Sequence, residues 1–422
     1  MASLLTAEEL ARLEQPFRDI FSERDRGRPE DVTGSGAFEI AKHGFLVWNR
    51  WRELFPNQKW EKLYFQMQSF EDQLDFSKFN FPGNISFENC QFLKKVFFLN
   101  AIFEGEVTFA ETVFIEDVNF SNAVFHGAAN FNGTIWAKSK RANFRDTRFC
   151  DSADFSSTSW YAYKQKLDSG ANDHPHYALY YEKRGMSTEV LPHLDFTNAT
   201  FQARAIFDGR ELPPLILDNT TFNKAPEFID SKIHQRTLLK NTKFPKEYGY
   251  AVNEYRVLKN AFSELKNTRQ ELRFFRREMQ EEMHNATGSL RLWLKAYQLF
   301  SDFGFSVCRP LISLIIIFFV SLAASSYLAK VNGVAAATPF FLDGGQLAGV
   351  DWGKSLKYVG FAFGNALPFF GGGKFDSNLL YELFGTGAVP EIVKLIALVQ
   401  QCLSLVFWFL IGLAIRNKFK LK

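Results

Sequence analysis

Residues 118–136 read VNFSNAVFHGAANFNGTIW, with aromatic side chains at Phe120, Phe125, Phe131 and Trp136. The gaps are five, six and five residues, and the same alternation continues in both directions. Upstream and downstream, Phe76, Phe87, Phe98, Phe109, Phe120 and Phe131 recur every eleven residues. A second series, Phe81, Phe92, Phe103, Phe114, Phe125 and Trp136, recurs every eleven residues, five behind the first. After a short slip, Phe144, Phe149, Phe155 and Trp160 resume the pattern. It returns in Phe196, Phe201 and Phe207, then Leu217, Phe222, Phe228, Ile233, Leu239 and Phe244. On an α-helix, positions five apart lie about 140° from one another, so no helical face collects these residues. A period sustained this long marks a solenoid, in which each short segment stacks on an equivalent one. The excess of phenylalanine, 48 of 422 residues, follows from one residue type filling one repeated interior position.

Around each aromatic, a small side chain such as Ala123 or Ala129 lies two positions earlier, and Asn119 or Asn130 lies directly before it. This pattern resembles the pentapeptide-repeat proteins, over roughly Leu74–Trp160 and Leu194–Phe244. The resemblance implies a right-handed quadrilateral β-helix, each repeat supplying one of four faces. At about 22 residues per coil the two stretches make about six coils, a rod about 30 Å long at strand spacing. Phe76, Phe81, Phe87, Phe92, Phe98, Phe103, Phe109, Phe114, Phe120, Phe125 and Phe131 are its expected core. The segment at about 161–194 breaks the period and reads as a loop inserted at one corner. It carries His174, His176 and His193 near Asp173, at spacings that match no strong metal-ligand motif. Residues 1–73, with Thr6 and Glu9 at capping-box spacing and a Trp-rich stretch FLVWNRWRELFP, read as a cap over the open first coil.

The period ends near Phe244. Residues 248–308 then show helical spacing, as at Tyr255, Leu258 and Phe262, with charges of both signs interleaved, and read as a helical connector. Its FRREM segment, Phe275 to Met279, looks like the linker of membrane-anchored bacterial pentapeptide-repeat proteins. Two uncharged runs follow in residues 309–422. Pro310–Ala329 is 20 residues long, and the run between Lys394 and Arg416 is 21, about 395–415. Each is long enough to cross about 30 Å of hydrocarbon. Arg291, Lys295 and Arg309 precede the first run, and Arg416, Lys418, Lys420 and Lys422 follow the second. The stretch between holds five lysines and five acidic residues. This asymmetry places both termini in the cytoplasm of a multi-pass inner-membrane protein, with the solenoid cytoplasmic as well.

Between the spans, the run from Tyr358 to Phe370 is apolar apart from Asn365 and too short to cross, as for a re-entrant half-helix at about 352–370. Pro368 would end it, and Gly371, Gly372 and Gly373 would form its exit. Asn365, Gln400, Gln401 and Ser404 are candidate pore-lining or interhelical residues, because polar groups at that depth turn from lipid. The layout of span, half-helix and span suggests a channel-like homo-oligomer, although no TVGYG-like filter or acidic ring is present. The alternative is a non-conducting anchor whose solenoid recruits a partner. A third use, mimicry of DNA toward topoisomerases, is drawn from soluble members of the family. It meets a rod with ten acidic and eight basic residues between Asp75 and Trp160, and needs far more negative charge. Cys90, Cys150, Cys308 and Cys402 form no CxxC pair. GGGKF around Lys374 lacks the hydroxyl residue and preceding strand of a phosphate loop. The sequence thus predicts no enzyme, cofactor, metal or nucleic-acid partner. It predicts membrane lipid and further copies of the chain as partners, with an unidentified protein or ions besides.

Overall fold

The computed structural model describes residues 6–22, 34–54, 63–65, 68–136, 141–157, 193–245, 251–334, 352–367 and 377–420. Its contacts divide the chain into two units, Met1–Glu281 and Glu282–Lys422.

In the first unit, successive two- and three-residue strands step around four faces, and every strand pairs in parallel with the one a coil away. The four sheets hold six, four, five and six strands. Val96 pairs with Val118 and Val107 with Ala129, an offset of 22 residues. Across the slip the offset becomes 24, as Val124 meets Arg148. The two extra residues lie between Trp136 and Arg141, across a stretch, 137–140, outside the described set. Arg141–Asn143 pairs directly with His193–Asp195, so the described strands before and after the long insertion form adjacent rungs in register. Residues 158–192, which include Trp160, His174 and His176, lie outside the described residues.

All eleven phenylalanines expected in the core are buried. Each stacks on its equivalent one coil away, with ring centroids 4.8 Å apart for Phe98–Phe120 and 4.7 Å for Phe103–Phe125, near parallel. That distance is the spacing of paired strands, so backbone pairing and aromatic stacking enforce one another. Opposite sides meet edge to face across the interior, as Phe98 meets Phe109 at 5.6 Å and 77°.

The corners follow a rule as regular as the core. Two residues after most members of the first series and its continuation the backbone has positive φ. Asn89, Asn100, Asn122, Asp146, Asn198, Asn219, Asp230 and Asn241 occupy this place, as do Gly133 and Gly209, with Lys78 and Glu111 the departures in residue type. Asparagine, aspartate and glycine tolerate this left-handed conformation at least cost. The next residue is mostly small and buried, Phe79 and Arg210 being the large ones. A hydroxyl here donates to a carbonyl of the coil before except at Thr134, which donates to the Phe131 carbonyl of its own coil. Thr112 Oγ1 donates to the Phe87 carbonyl at 2.6 Å, and Thr147 Oγ1 to that of Phe120 at 2.9 Å. Asparagine or aspartate before the phenylalanine closes a local turn, as when the Ser121 amide donates to Asn119 Oδ1 at 2.9 Å.

Both ends of the rod are covered. Helices α1 (Ala7–Ser22), α2 (Gly34–Lys42) and α3 (Phe45–Leu54) close the first coil. Trp48 stacks on Phe79 and donates from Nε1 to the Asn80 carbonyl at 2.8 Å. The Asn49 amide imitates a rung: its Oδ1 accepts from the Asn80 amide and its Nδ2 donates to the Lys78 carbonyl, both at 3.0 Å. At the other end, α4 (Val252–Glu264) and α5 (Thr268–Asn285) pack Tyr255, Phe262 and Phe274 beneath Phe244. Arg273 Nη2 donates to the Thr242 carbonyl at 2.8 Å, and the Arg277 guanidinium lies 4.9 Å from the Phe244 ring centre. The stretch read as a connector is therefore, up to Glu281, part of the solenoid unit. It takes up backbone groups that an open last coil would leave unpaired.

The second unit is helical: α6 (Gly288–Ser301), α7 (Cys308–Val331), α8 (Trp352–Ala366), α9 (Ser377–Phe384) and α10 (Val389–Lys420). Two of these, α7 and α10, are long and apolar enough to cross a membrane, with mean hydropathy 2.3 and 2.1 over their best windows. They run four and eleven residues beyond the two apolar stretches of the sequence, being 24 and 32 residues long. Helix α8, 15 residues, is about 22 Å long and too short to span. It packs Tyr358 and Ala362 against Leu322 of α7, Leu380 and Leu383 of α9, and Val393 of α10.

Candidate functional site

Besides Glu278, buried in α5 and paired with Arg256 at 2.8 Å and Lys259 at 2.7 Å, two places among the described residues hold buried polar chemistry. The first is inside the solenoid, at the corner position given elsewhere to alanine, cysteine, serine or threonine, and to Phe79 in the first coil. There Arg210 is 1% exposed. Its guanidinium donates to the carbonyls of Phe155 (2.7 Å), Ser156 (2.8 Å) and Thr134 (3.2 Å). These carbonyls belong to the coils beside the insertion, where the face carrying Ile135–Trp136 has no further named strand. Burial draws the pKa of Arg210 down to about 9, so it still carries its charge at neutral pH. A long donor fork thus ties together carbonyls of two coils, one of which, Ser156, also accepts from the Gly133 amide. One mark of it stood in the sequence: an arginine where the repeat mostly places a small residue.

The second place is the seam between α7, α8 and α10, and it gathers the polar residues expected at membrane depth. Gln400 of α10 accepts from Ser321 Oγ of α7 at 2.6 Å and donates from Nε2 to the Ala362 carbonyl of α8 at 2.9 Å. Gln401 Nε2 donates to Asn365 Oδ1 at 2.7 Å, and Trp408 Nε1 to the Ala366 carbonyl at 3.1 Å. Ser404, one turn after Gln400, is buried on the same side of α10. Asn365, Gln400 and Ser404 are each at most 2% exposed within the single chain. Pro368, Gly371, Gly372 and Gly373 lie outside the described residues.

The geometry has a direct electrostatic meaning. The last carbonyls of a helix carry its negative dipole end and stand free unless capped. In α8 the terminal Ala366 carbonyl accepts from Trp408, while the Ala362 carbonyl, one turn earlier, accepts from Gln400 in addition to its place in the helix. Ser325 Oγ, Ser326 Oγ, Ser404 Oγ and Asn365 Nδ2 are buried and have no hydrogen-bond partner in the protein.

The outward faces of the two long helices are of the opposite character. Leu311, Ile312, Ile315, Ile316, Phe319 and Val320 of α7 are exposed, as are Leu395, Leu398, Val399, Leu405, Val406 and Phe409 of α10. So the polar groups of the seam turn inward and the apolar ones outward, the reverse of a soluble protein. Sequence spacing had paired Gln400 with Ser404, but not the partners across the seam, Ser321 and Trp408. At the second unit's far end, Asn417 Nδ2 donates to the Gly304 carbonyl at 3.0 Å. Asn332 Nδ2 reaches the Phe384 carbonyl at 2.6 Å.

Among the described residues no group of three or more histidine, cysteine or acidic side chains could hold a metal ion. A family model for pentapeptide repeats matches residues 76–124, 87–135 and 109–159, within the solenoid. No curated protein and no solved structure matches the chain.

Proposed function

We propose that the protein is a non-catalytic scaffold anchored in a membrane by its helical unit, with the pentapeptide-repeat solenoid as the part that binds a partner. The observation that carries this reading is the inward-turned polar seam. Ser321, Gln400, Gln401 and Trp408 spend their hydrogen bonds on the half-helix or on each other, while the faces left outside are apolar. Such an arrangement places the amide and indole groups of α10 against α7 and α8 within one chain, and pairs the terminal Ala366 carbonyl of α8 with Trp408. The basic residues flanking α7 and α10 support a cytoplasmic location for both termini at the inner membrane. The solenoid surface, regular and nearly balanced in charge, suits a protein partner better than it suits mimicry of DNA.

The second reading, an ion-conducting homo-oligomer, is favoured by the order of span, half-helix and span and by the unpartnered Ser404, Ser325 and Asn365 groups. Planar-bilayer recording of the purified full-length protein separates the two. The scaffold reading predicts a baseline free of unitary currents at every voltage. Reproducible currents that Gln400→Leu removes would replace it with the channel reading.

A further inference from the structure

We propose that α6 lies in the membrane surface and binds anionic phospholipid headgroups. The inference rests on the anchored reading of α7 and α10 and adds the lipid chemistry that the anchor selects.

Helix α6 has the sequence GSLRLWLKAYQLFS. At 100° per residue, Leu299, Leu292, Ala296, Phe300 and Trp293 fall within an arc of about 120°. This arc is bare: Leu292 is 70% exposed and Trp293 74%. The other side of the helix is held in place. Tyr297 packs edge to face on Phe303 at 5.5 Å, and Phe300 at the border meets Phe407 of α10 at 5.4 Å. Arg309 Nη1, in the first turn of α7, donates to the Gln298 carbonyl at 2.6 Å. An apolar arc fixed in position yet left unpacked calls for a covering.

Charge identifies the covering. Arg291 and Lys295, one turn apart, flank the arc on one side. Arg309 stands at the turn into α7, and the Asn417–Gly304 hydrogen bond brings the end of α10, with Arg416 and Lys418, to the same turn. Residues 286–309 and 416–420 hold six basic side chains (Arg291, Lys295, Arg309, Arg416, Lys418, Lys420) and one acidic one, Asp302. The excess is therefore five positive charges (6 − 1). Six cations beside a bare leucine–tryptophan face, at the ends of two spans, match a layer of negative headgroups over hydrocarbon. Tryptophan is also the side chain that favours this depth, with its ring among acyl chains and its N–H in the polar layer.

The test reads Trp293 itself. Full-length protein and a Trp293→Phe variant are reconstituted in phosphatidylcholine vesicles, and the difference in emission isolates one tryptophan from the other seven (8 − 1). Brominated phosphatidylglycerol or brominated phosphatidylcholine is then added in steps. The proposal predicts half-maximal quenching of Trp293 at an about fivefold lower mole fraction of the anionic lipid, and an Arg291→Gln/Lys295→Gln double variant with no preference. Equal quenching by the two lipids would overturn headgroup binding. No quenching, in protein that stays with the vesicles through an alkaline carbonate wash, would overturn it too and assign the face to protein, whether a second copy or the solenoid unit. Release of the protein by carbonate would instead remove the anchored reading on which the proposal rests.

Discussion

A single phenylalanine of the ladder is held by stacked neighbours and edge contacts at once. Phe109 stacks at 5.0 Å on both Phe87 and Phe131 and meets Phe98, Phe103 and Phe120 edge to face. Its replacement by alanine opens a void that a backbone pinned by ladder bonds cannot close. Phe109→Ala should cost about 3–5 kcal/mol in urea unfolding followed by circular dichroism, while Phe97→Ser, outside the core, should cost under about 1 kcal/mol. Cys90 occupies the small corner position that Ala101 and Ala123 fill elsewhere, and its thiol donates to the Phe65 carbonyl at 2.6 Å. Burial raises its pKa from 9.0 to about 12. The folded state then holds this proton more tightly than the unfolded chain, so the stabilisation is intact below about pH 9 and fades as pH climbs toward 12. Cys90→Ala should leave stability at pH 7 within about 1 kcal/mol of the parent and flatten the alkaline loss, as thermal melting between pH 7 and 10.5 would show.

At the scale of the element, the coil corner and the membrane seam differ in how plainly the sequence announced them. The ladder was legible because a period of eleven survives any single exception. The corner was equally present, as in FLNAIF, FSNAVF and FTNATF, where Asn100, Asn122 and Asn198 take positive φ. It went unread because its backbone conformation leaves only a weak compositional trace. Asn122→Val should lose about 1–2 kcal/mol, whereas Asn122→Gly should stay within a few tenths, as Gly133 stands at the same corner one half-coil later. Arg210 shows the limit of pattern reading: only the geometry reveals that one side chain gathers the Phe155, Ser156 and Thr134 carbonyls beside an insertion. In the seam, sequence singled out Gln400 and Gln401 because polar groups at that depth are costly. Their partners, a serine and a backbone carbonyl, carry no sequence mark. Gln400→Leu should strand the Ser321 hydroxyl and remove the hydrogen bond that ties α10 to the Ala362 carbonyl of α8. A loss of about 1–2 kcal/mol is expected, seen as a lower melting temperature of the full-length protein in detergent.

For the whole molecule, two kinds of covering meet in one chain. The solenoid closes both of its open ends with its own helices, α1–α3 at one and α4–α5 at the other. It should therefore stand alone: a chain ended at Asn285 is expected to fold without detergent, with the strand signature of the parent, whereas aggregation would show that the second unit is required. The second unit closes nothing outward. Its exposed leucines, isoleucines and phenylalanines await a solvent unlike water, and this is the central claim of the account. Cys402 reports on it directly, since it is exposed near the middle of α10. A nitroxide attached there, in reconstituted full-length protein with Cys90, Cys150 and Cys308 replaced by alanine, can be relaxed by apolar oxygen or by an aqueous nickel chelate. The account predicts strong relaxation by oxygen and almost none by nickel, as deep in hydrocarbon; relaxation by nickel matching that of a label in free solution would contradict it.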